Sequence, residues 1–518
     1  MNTKKTKTDN DQLPVLNRIE SIILLGSVFV TSICAIAYEL VIGATGAYIA
    51  GDGVSQFAYT IGIFLSSMGL GSLFSRAIDD NRTLEAFVSS EILIGLFGGI
   101  SHPALYLIYA TSSSFQIAFY FFVFVVGALT GLEIPLITRI LSNHNPLRVN
   151  ISNVLSLDYF GALVTAVLFP LLLLPNLGLW YSSLLFGIIN IILALILIFY
   201  SRKRPWYKKS LISSMIVLAT LILLQIFGRY FMNYADAKLY GDEIVFTKTS
   251  KYQKIVLTRW RSDLRLYLNG NIQFSSYDEY RYHETLIHPL FSLLPHHENV
   301  LVLGGGDGLA LREIFKYKGV KKVDLVDLDP AVMNLAKTNK HLVELNKNSL
   351  NDPRVNYHAQ DAWIFVRNVQ KKYDVIVVDL PDPNSENLVK LYSLQFYHQL
   401  KNLLTRSGGI VVQSTSPYFN LRTFWCIHDT IRETGLYTMP IHAQVPSFGD
   451  WGYVLAGRSN LDKKPIKFEV ETRYLKKGME KGLKIFPADL QPVDVEISTL
   501  DKPVILKYYN EDYKKYFK

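Results

Sequence analysis

Five aspartates that end apolar runs between positions 307 and 382 carry the chemistry most open to reading in this sequence. Asp307 stands inside Gly304-Gly305-Gly306-Asp307-Gly308, Asp327 closes Lys322 to Val326, Asp361 follows Arg354-Val355-Asn356-Tyr357, and Asp379 and Asp382 bracket Leu380-Pro381 after Val375 to Val378. Carboxylates in this pattern, with neither Lys nor Arg expected beside them, suit a ligand that carries positive charge and would repel a phosphate-bearing dinucleotide. Asp327 lies about 20 residues beyond the glycine run, where a carboxylate can hold ribose hydroxyls. Taken singly, Asp307 or Asp361 also fits a helix cap; all five together at strand ends favour a ligand site.

These residues need elements to hold them. Apolar runs at 300–303, 322–327, 354–357, 375–379 and 409–412 alternate with helical stretches, the pattern of a parallel sheet covered on both faces. Ligands in such sheets bind beyond the carboxyl ends of the strands. Upstream, residues 252–274 alternate apolar and polar and turn at Asn269-Gly270, a β-hairpin layer. Tyr277-Asp278-Glu279-Tyr280-Arg281-Tyr282-His283-Glu284 then leads into a helix toward Leu294.

The first 230 residues are of another kind. The chain has 518 residues, 49% of them hydrophobic and only 19% charged, and its mean hydropathy is +0.18. That excludes a disordered chain and a plain cytosolic enzyme. Apolar segments near 21–43, 55–75, 84–108, 114–138, 155–175, 178–200 and 210–230 reach the length of about 20 residues that crosses hydrocarbon. Lys4, Lys5, Lys7 and Arg18, then Arg76 and Arg82, Arg139 and Arg148, and Arg202, Lys203, Arg204, Lys208 and Lys209 fall in every second loop, and the alternate loops have none. The positive-inside rule therefore puts the N-terminus in the cytoplasm. The segment Leu211 to Phe227 is expected to be embedded or re-entrant, leaving six crossings and a cytoplasmic soluble half. Glu39, Glu91, Glu133 and Asp158 stand inside the spans at a cost of a few kcal/mol each. They either guide a cationic amine or fix helix packing by pairing with backbone, Arg139 or one another, and Gly69, Gly71 and Gly161 look like close-packing positions. Domain boundaries are expected at a cytoplasmic tail 1–20, a multi-pass domain 21–231, a hairpin layer 232–290, a catalytic domain 291–460 and an extension 461–518. The net charge of +9 is not gathered into a stripe after position 240, so nucleic acid is not the expected partner. Two cysteines, Cys34 and Cys426, exclude a disulfide framework and favour a reducing compartment for the soluble half.

Over roughly 250–460 the sequence resembles the spermidine synthase (polyamine aminopropyltransferase) family. The resemblance rests on Tyr252-Gln253, Asn269 to Gln273, Asp278-Glu279 with Tyr282-His283-Glu284, Gly304 to Gly308, Asp327-Leu328-Asp329, Asp352-Pro353-Arg354, Asp361, and Asp379 to Pro383. Tyr38-Glu39-Leu40, Gly62 to Gly71 and Gly131 to Pro135 look like the multi-pass membrane branch of that family. It implies a Rossmann-like, class I methyltransferase-like α/β domain behind a transmembrane helical bundle and the β-hairpin layer, in a homodimer or homotetramer. The implied reaction moves an aminopropyl group from decarboxylated S-adenosylmethionine to a diamine such as putrescine, giving spermidine and methylthioadenosine without a metal. The resemblance assigns the base to Asp379, the diamine to Asp382, the amine and aminopropyl channel to Gln253, Tyr282, His283 and Asp307, the ribose to Asp327, and the adenine to Asp361 with Ala362. Asp307 would repel the carboxylate of intact S-adenosylmethionine, which sets methyl transfer second; a polyamine transporter or sensor with a binding-only soluble half is the other alternative. Leu380-Pro381 and Asn384-Ser385-Glu386 depart from the family's pattern, and Val445-Pro446-Ser447-Phe448 stands where an amine-contacting tyrosine is common.

Overall fold

The computed structural model describes residues 18–50, 53–142 and 146–517; most of the expected 1–20 tail therefore lies outside the described residues. The chain divides into two units, Met1–Gly241 and Asp242–Lys518.

The first unit is helical: α1 (Arg18–Ala50), α2 (Gly53–Phe74), α3 (Thr83–Thr111), α4 (Phe115–Leu141), α5 (Leu147–Leu168), α6 (Leu174–Tyr200), α7 (Tyr207–Ile226) and α8 (Gly228–Tyr240). Among the described residues, six stretches are long and apolar enough to cross a membrane. The longest, Arg148–Tyr200, has 53 residues and turns at Gly178, whose φ of 69° breaks the helix. It therefore supplies two of seven span-length helices.

Contacts give the directions of these helices. Thr45 meets His102 and Tyr38 meets Gly98, so α1 and α3 run parallel. Asn190 meets Glu91 while Gly187 meets Gly99, so α3 and α6 run antiparallel. In α7, Leu221 packs on Gly187 and, just past its end, Gly228 packs on Trp180. The last segment, expected to be embedded or re-entrant, forms one unbroken 20-residue helix, α7, antiparallel to α6 and with a rise of about 30 Å. The chain leaves the bundle on the face opposite the one it enters. Close approach is built on glycines as expected at Gly71, against the Ala128 backbone, and at Gly161, 2.8 Å from Phe29 O for an added Cβ, whereas Gly69 faces open space. Arg139 bonds Asp80, Ser75 O and Ile78 O, so it does not pair with the acids inside the bundle.

The second unit opens with a four-stranded antiparallel sheet of β1 (Glu243–Thr249), β2 (Lys254–Trp260), β3 (Asp263–Leu268) and β4 (Asn271–Ser275), in that order, followed by α9 (Glu279–Leu293). The main sheet and its covering helices then follow: β5 (Asn299–Gly304), α10 (Leu309–Ile314), β6 (Lys322–Asp327), α11 (Pro330–Thr338), α12 (Lys340–Leu345), β7 (Val355–Ala359), α13 (Ala362–Asn368), β8 (Tyr373–Asp379), α14 (Glu386–Val389), α15 (Leu394–Leu403), β9 (Leu404–Gln413), α16 (Leu421–Glu433), β10 (Tyr437–Val445), β11 (Gly449–Gly457) and, at the end, α17 (Val504–Phe517). The strand order is β10-β11-β9-β8-β5-β6-β7. Strands β5 to β9 are parallel. The pair β10 and β11 is antiparallel, so the sheet is mixed where an all-parallel one was expected. Both faces are buried: Val300, Val302, Val375 and Val377 enter one core layer, and Leu301, Leu303, Ile376 and Val378 enter the other. Continuous apolar strands are what two covered faces demand.

Candidate active site

Register decides what meets at the rim. Gly304 pairs with Asp379 and Asp327 with Ala359. Val378 pairs with Val412, and Gln413 with Tyr453. The carboxyl ends of β5, β6, β8 and β9 thus form one edge that carries the expected acids.

At the centre stands Asp379. Tyr282 OH donates to its Oδ1 at 2.6 Å. Burial pushes this carboxyl up to about 6; Asp307 pushes the same way, while His283 and the Tyr282 bond oppose it. His283 is 2% exposed and bonds Glu279 through Nδ1, at 2.8 Å to the carbonyl oxygen and 2.9 Å to Oε2. Burial alone would deprotonate the imidazole, but Glu279, helped by Asp307 and Asp379, raises it to about 9. Glu279 is held in turn by both terminal nitrogens of Arg312, at 2.7 and 2.9 Å. A buried imidazolium therefore sits among three carboxylates, its charge fixed from behind by an ion pair.

Asp307 accepts Leu309 N–H at 2.9 Å from the position before the Gly308 N-cap, so α10 has no side-chain cap, and burial raises the Asp307 carboxyl as well. Asp382 is touched by Gln413 Nε2, Thr415 Oγ1 and Tyr509 OH, each at 3.3 Å. These bonds are long, and burial raises Asp382 to about 6 despite them.

On the other flank, Asp327 accepts Gly306 N–H at 3.1 Å and Asp329 N–H at 2.9 Å, and burial lifts it to about 6. Gly306 is needed there, since a Cβ would lie 2.6 Å from Asp327 Oδ2. Gln253 points its amide at Asp329 Oδ2, 3.1 Å away, on this flank rather than beside Asp307. Asp361 caps α13 through Trp363 and Ile364 N–H and binds Lys390 Nζ at 2.7 Å. Ala362, the first residue of that helix, is buried. The expectation of acids without nearby bases is corrected at two points, Lys390 on Asp361 and Arg312 behind His283: both cations come from segments distant in sequence, which strand patterning does not place.

Several contributors were not read from the sequence. Tyr509 comes from the 461–518 extension, which showed no chemistry of its own. Gln413 ends β9 and Thr415 lies just beyond it, where a polar residue after Val411-Val412 was the available signal. Where the family's tyrosine is common, Ser447 bonds Asp278 at 2.6 and 2.9 Å. This places Phe448 and Trp451 around the Tyr282 ring, at centroid distances of 5.8 and 6.3 Å.

Residues 279–467 match the spermine/spermidine synthase domain. The chain is 41% identical to a polyamine aminopropyltransferase of Leptospira interrogans, over 94% of this chain and 98% of that protein. A polyamine aminopropyltransferase 2 of Ralstonia nicotianae is also 41% identical, over 96% of this chain and 99% of that protein. Among solved structures, a spermidine synthase in complex with the transition-state analogue AdoDATO is similar at 25% identity and a TM-score of 0.44, covering 47% of this chain and 86% of that one.

Proposed function

This chain belongs to the polyamine aminopropyltransferase family, and from that premise we propose how its site divides the work of the reaction. The activity is transfer of an aminopropyl group from decarboxylated S-adenosylmethionine to an amine. A nitrogen–carbon bond forms as the carbon–sulfur bond breaks, the sulfonium's positive charge is discharged into neutral methylthioadenosine, and the attacking ammonium gives up one proton.

Asp379 takes that proton. An ammonium cannot attack, so a carboxylate in contact with it must accept the proton first, and the Tyr282 bond fixes which oxygen stays free. The observation that carries the reading is this: Asp379 sits in register with the Gly304 turn, between the flank that suits a nucleoside and the flank that ends in Asp382. Asp382 holds the far ammonium of the acceptor, with Gln413, Thr415 and Tyr509 orienting its carboxylate. Asp327 takes the ribose, Asp361 with Ala362 the adenine side, and Asp307 the donor's ammonium, with Tyr282 and His283 lining the channel and Gln253 on the donor flank. Holding amine and sulfonium at attack distance supplies most of the rate. Two carboxylates for two ammonium groups favour a diamine, and putrescine is the proposed acceptor. Supplying purified protein with the decarboxylated donor and a panel of amines tests this: putrescine should yield spermidine, and a product only from longer amines would overturn the choice.

The apolar helices make this a cell-membrane protein in our reading. Seven alternating helices carry the basic loops on the N-terminal face, so the positive-inside rule assigns that face to the cytoplasm and the C-terminal unit to the other side. This reverses the cytoplasmic placement, which depended on a re-entrant last segment. One buried free cysteine in each unit is compatible with either side. A homodimer or homotetramer through the four-stranded sheet is proposed as well, checked by light scattering on the purified chain.

A further inference from the structure

Glu91 and Glu133 stand inside the helical bundle, outside the site described above, and each leaves a buried carboxylate oxygen without a hydrogen-bond partner. Glu91 is 0% and Glu133 5% exposed, and the two face each other closely enough to interact. Asn190 Nδ2 donates to Glu91 Oε2 at 3.0 Å. Glu91 Oε1, Glu133 Oε1, Asn190 Oδ1, Tyr38 OH and Thr130 Oγ1 are all buried without a hydrogen-bond partner. Other described groups that interact with the pair include Cys34 and Tyr38 of α1 and, through Glu133, Thr31 of α1 and Asp158 of α5, and none of these is a cation. Unpaired buried acceptors in this number call for an explanation.

Polar groups continue from the pair toward the opposite face. Tyr38 packs on Gly98, one helical turn from His102. His102 Nδ1 bonds Thr45 Oγ1 at 2.8 Å and stacks on Tyr106 with ring centroids 5.9 Å apart. Tyr106 OH donates to Asp236 of α8. From Glu91 to Tyr106 along α3 the rise is about 22 Å, most of the roughly 30 Å of a hydrocarbon core. Helix contacts as tight as Gly187 against Gly99 and Gly228 against Trp180 suit the smallest cation better than a polyamine.

We propose that this column is a proton relay across the bundle, with the Glu91–Glu133 pair as its protonatable station. A proton joins one carboxylate and moves past Tyr38, His102 and Tyr106 to Asp236, carried by water where Tyr38 OH has no partner and where the His102 and Tyr106 rings stack, and leaves on the far face; no other bond is made or broken. Carboxylate, imidazole and hydroxyl files are how proton paths are built inside membranes. The inference rests on the membrane reading above, not on the transferase reading.

The full chain in lipid vesicles with a trapped pH dye, driven by a potassium diffusion potential, tests it. Proton flux should exceed that of protein-free vesicles and fall about tenfold in Glu91→Gln/Glu133→Gln, while methylthioadenosine formation in detergent is unchanged. His102→Gln, at the other end of the column, should lower flux as well and decides the matter if the double variant does not fold. Wild-type flux equal to that of empty vesicles, or undiminished flux in the folded variants, overturns the relay. Because transfer activity is read separately, failure of the relay leaves the transferase assignment standing.

Discussion

The titrating groups of the site set its pH behaviour. Asp379 and Asp382 are raised to about 6, so both are protonated at acid pH, where one cannot accept a proton and the other cannot hold an ammonium. His283 is raised to about 9 and keeps its ion pair with Glu279 up to there; the stability this adds is complete below the ordinary imidazole value and lost as pH rises through 9. Initial-rate measurements should therefore show kcat/KM rising through about pH 6 to a plateau; a rate that keeps falling from pH 5 to 8 would exclude a carboxylate base. Asp382→Asn should raise KM for the diamine, leaving that for the donor unchanged, by ten- to a hundredfold for a lost charge-assisted contact of about 1.5–3 kcal/mol. Equal shifts in both constants would place Asp382 elsewhere in the mechanism. At this scale the aspartates were legible because each ends an apolar run. Tyr509 and Lys390 were not, since 127 residues separate Tyr509 from Asp382 and 29 separate Lys390 from Asp361, and no local periodicity links such positions.

Strands and turns explain why these groups converge. The β5–α10 turn works through Gly306, whose N–H holds Asp327. Gly306→Ala puts a methyl 2.6 Å from that carboxylate, and a displaced ribose ligand of about 1–2 kcal/mol should raise the donor KM roughly tenfold. Binding titrations with the donor check this; unchanged affinity would mean that Asp327 does not meet the ribose. The five parallel strands were legible as apolar runs, but β10 and β11 were not. Pro440 lies within β10, which argues against a strand until one sees that β10 is the sheet edge, where a missing N–H is tolerated. The segment Leu211 to Phe227 looked short because its apolar run begins only after Lys208, Lys209 and Ser210. The helix α7 itself starts earlier, at Tyr207, and Ser213 Oγ donates to the Ser210 carbonyl of the same helix.

For the whole molecule, parity is the consequence that matters. On the membrane reading proposed above, seven alternating helices with the basic loops on the entry face put the C-terminal unit across the membrane from the N-terminus. A reporter active only outside the cytoplasm, fused after residue 518, should be active, and one fused before residue 1 should be silent; the reverse result at the C-terminus would mean that α7 does not cross. Composition alone divided the chain into these two units, because the apolar excess is confined to the first 230 residues. What composition withheld was the direction of the last helix, which depends on which residues of α6 and α3 meet α7. The central claim, that the second unit transfers an aminopropyl group with Asp379 as base, is tested most directly by counting products. Wild-type protein given decarboxylated S-adenosylmethionine and putrescine should form methylthioadenosine and spermidine in equal amounts, and Asp379→Asn should lower the rate about a thousandfold while still binding the donor. No methylthioadenosine with any diamine or triamine, or an Asp379→Asn variant that turns over like the wild type, would contradict the account.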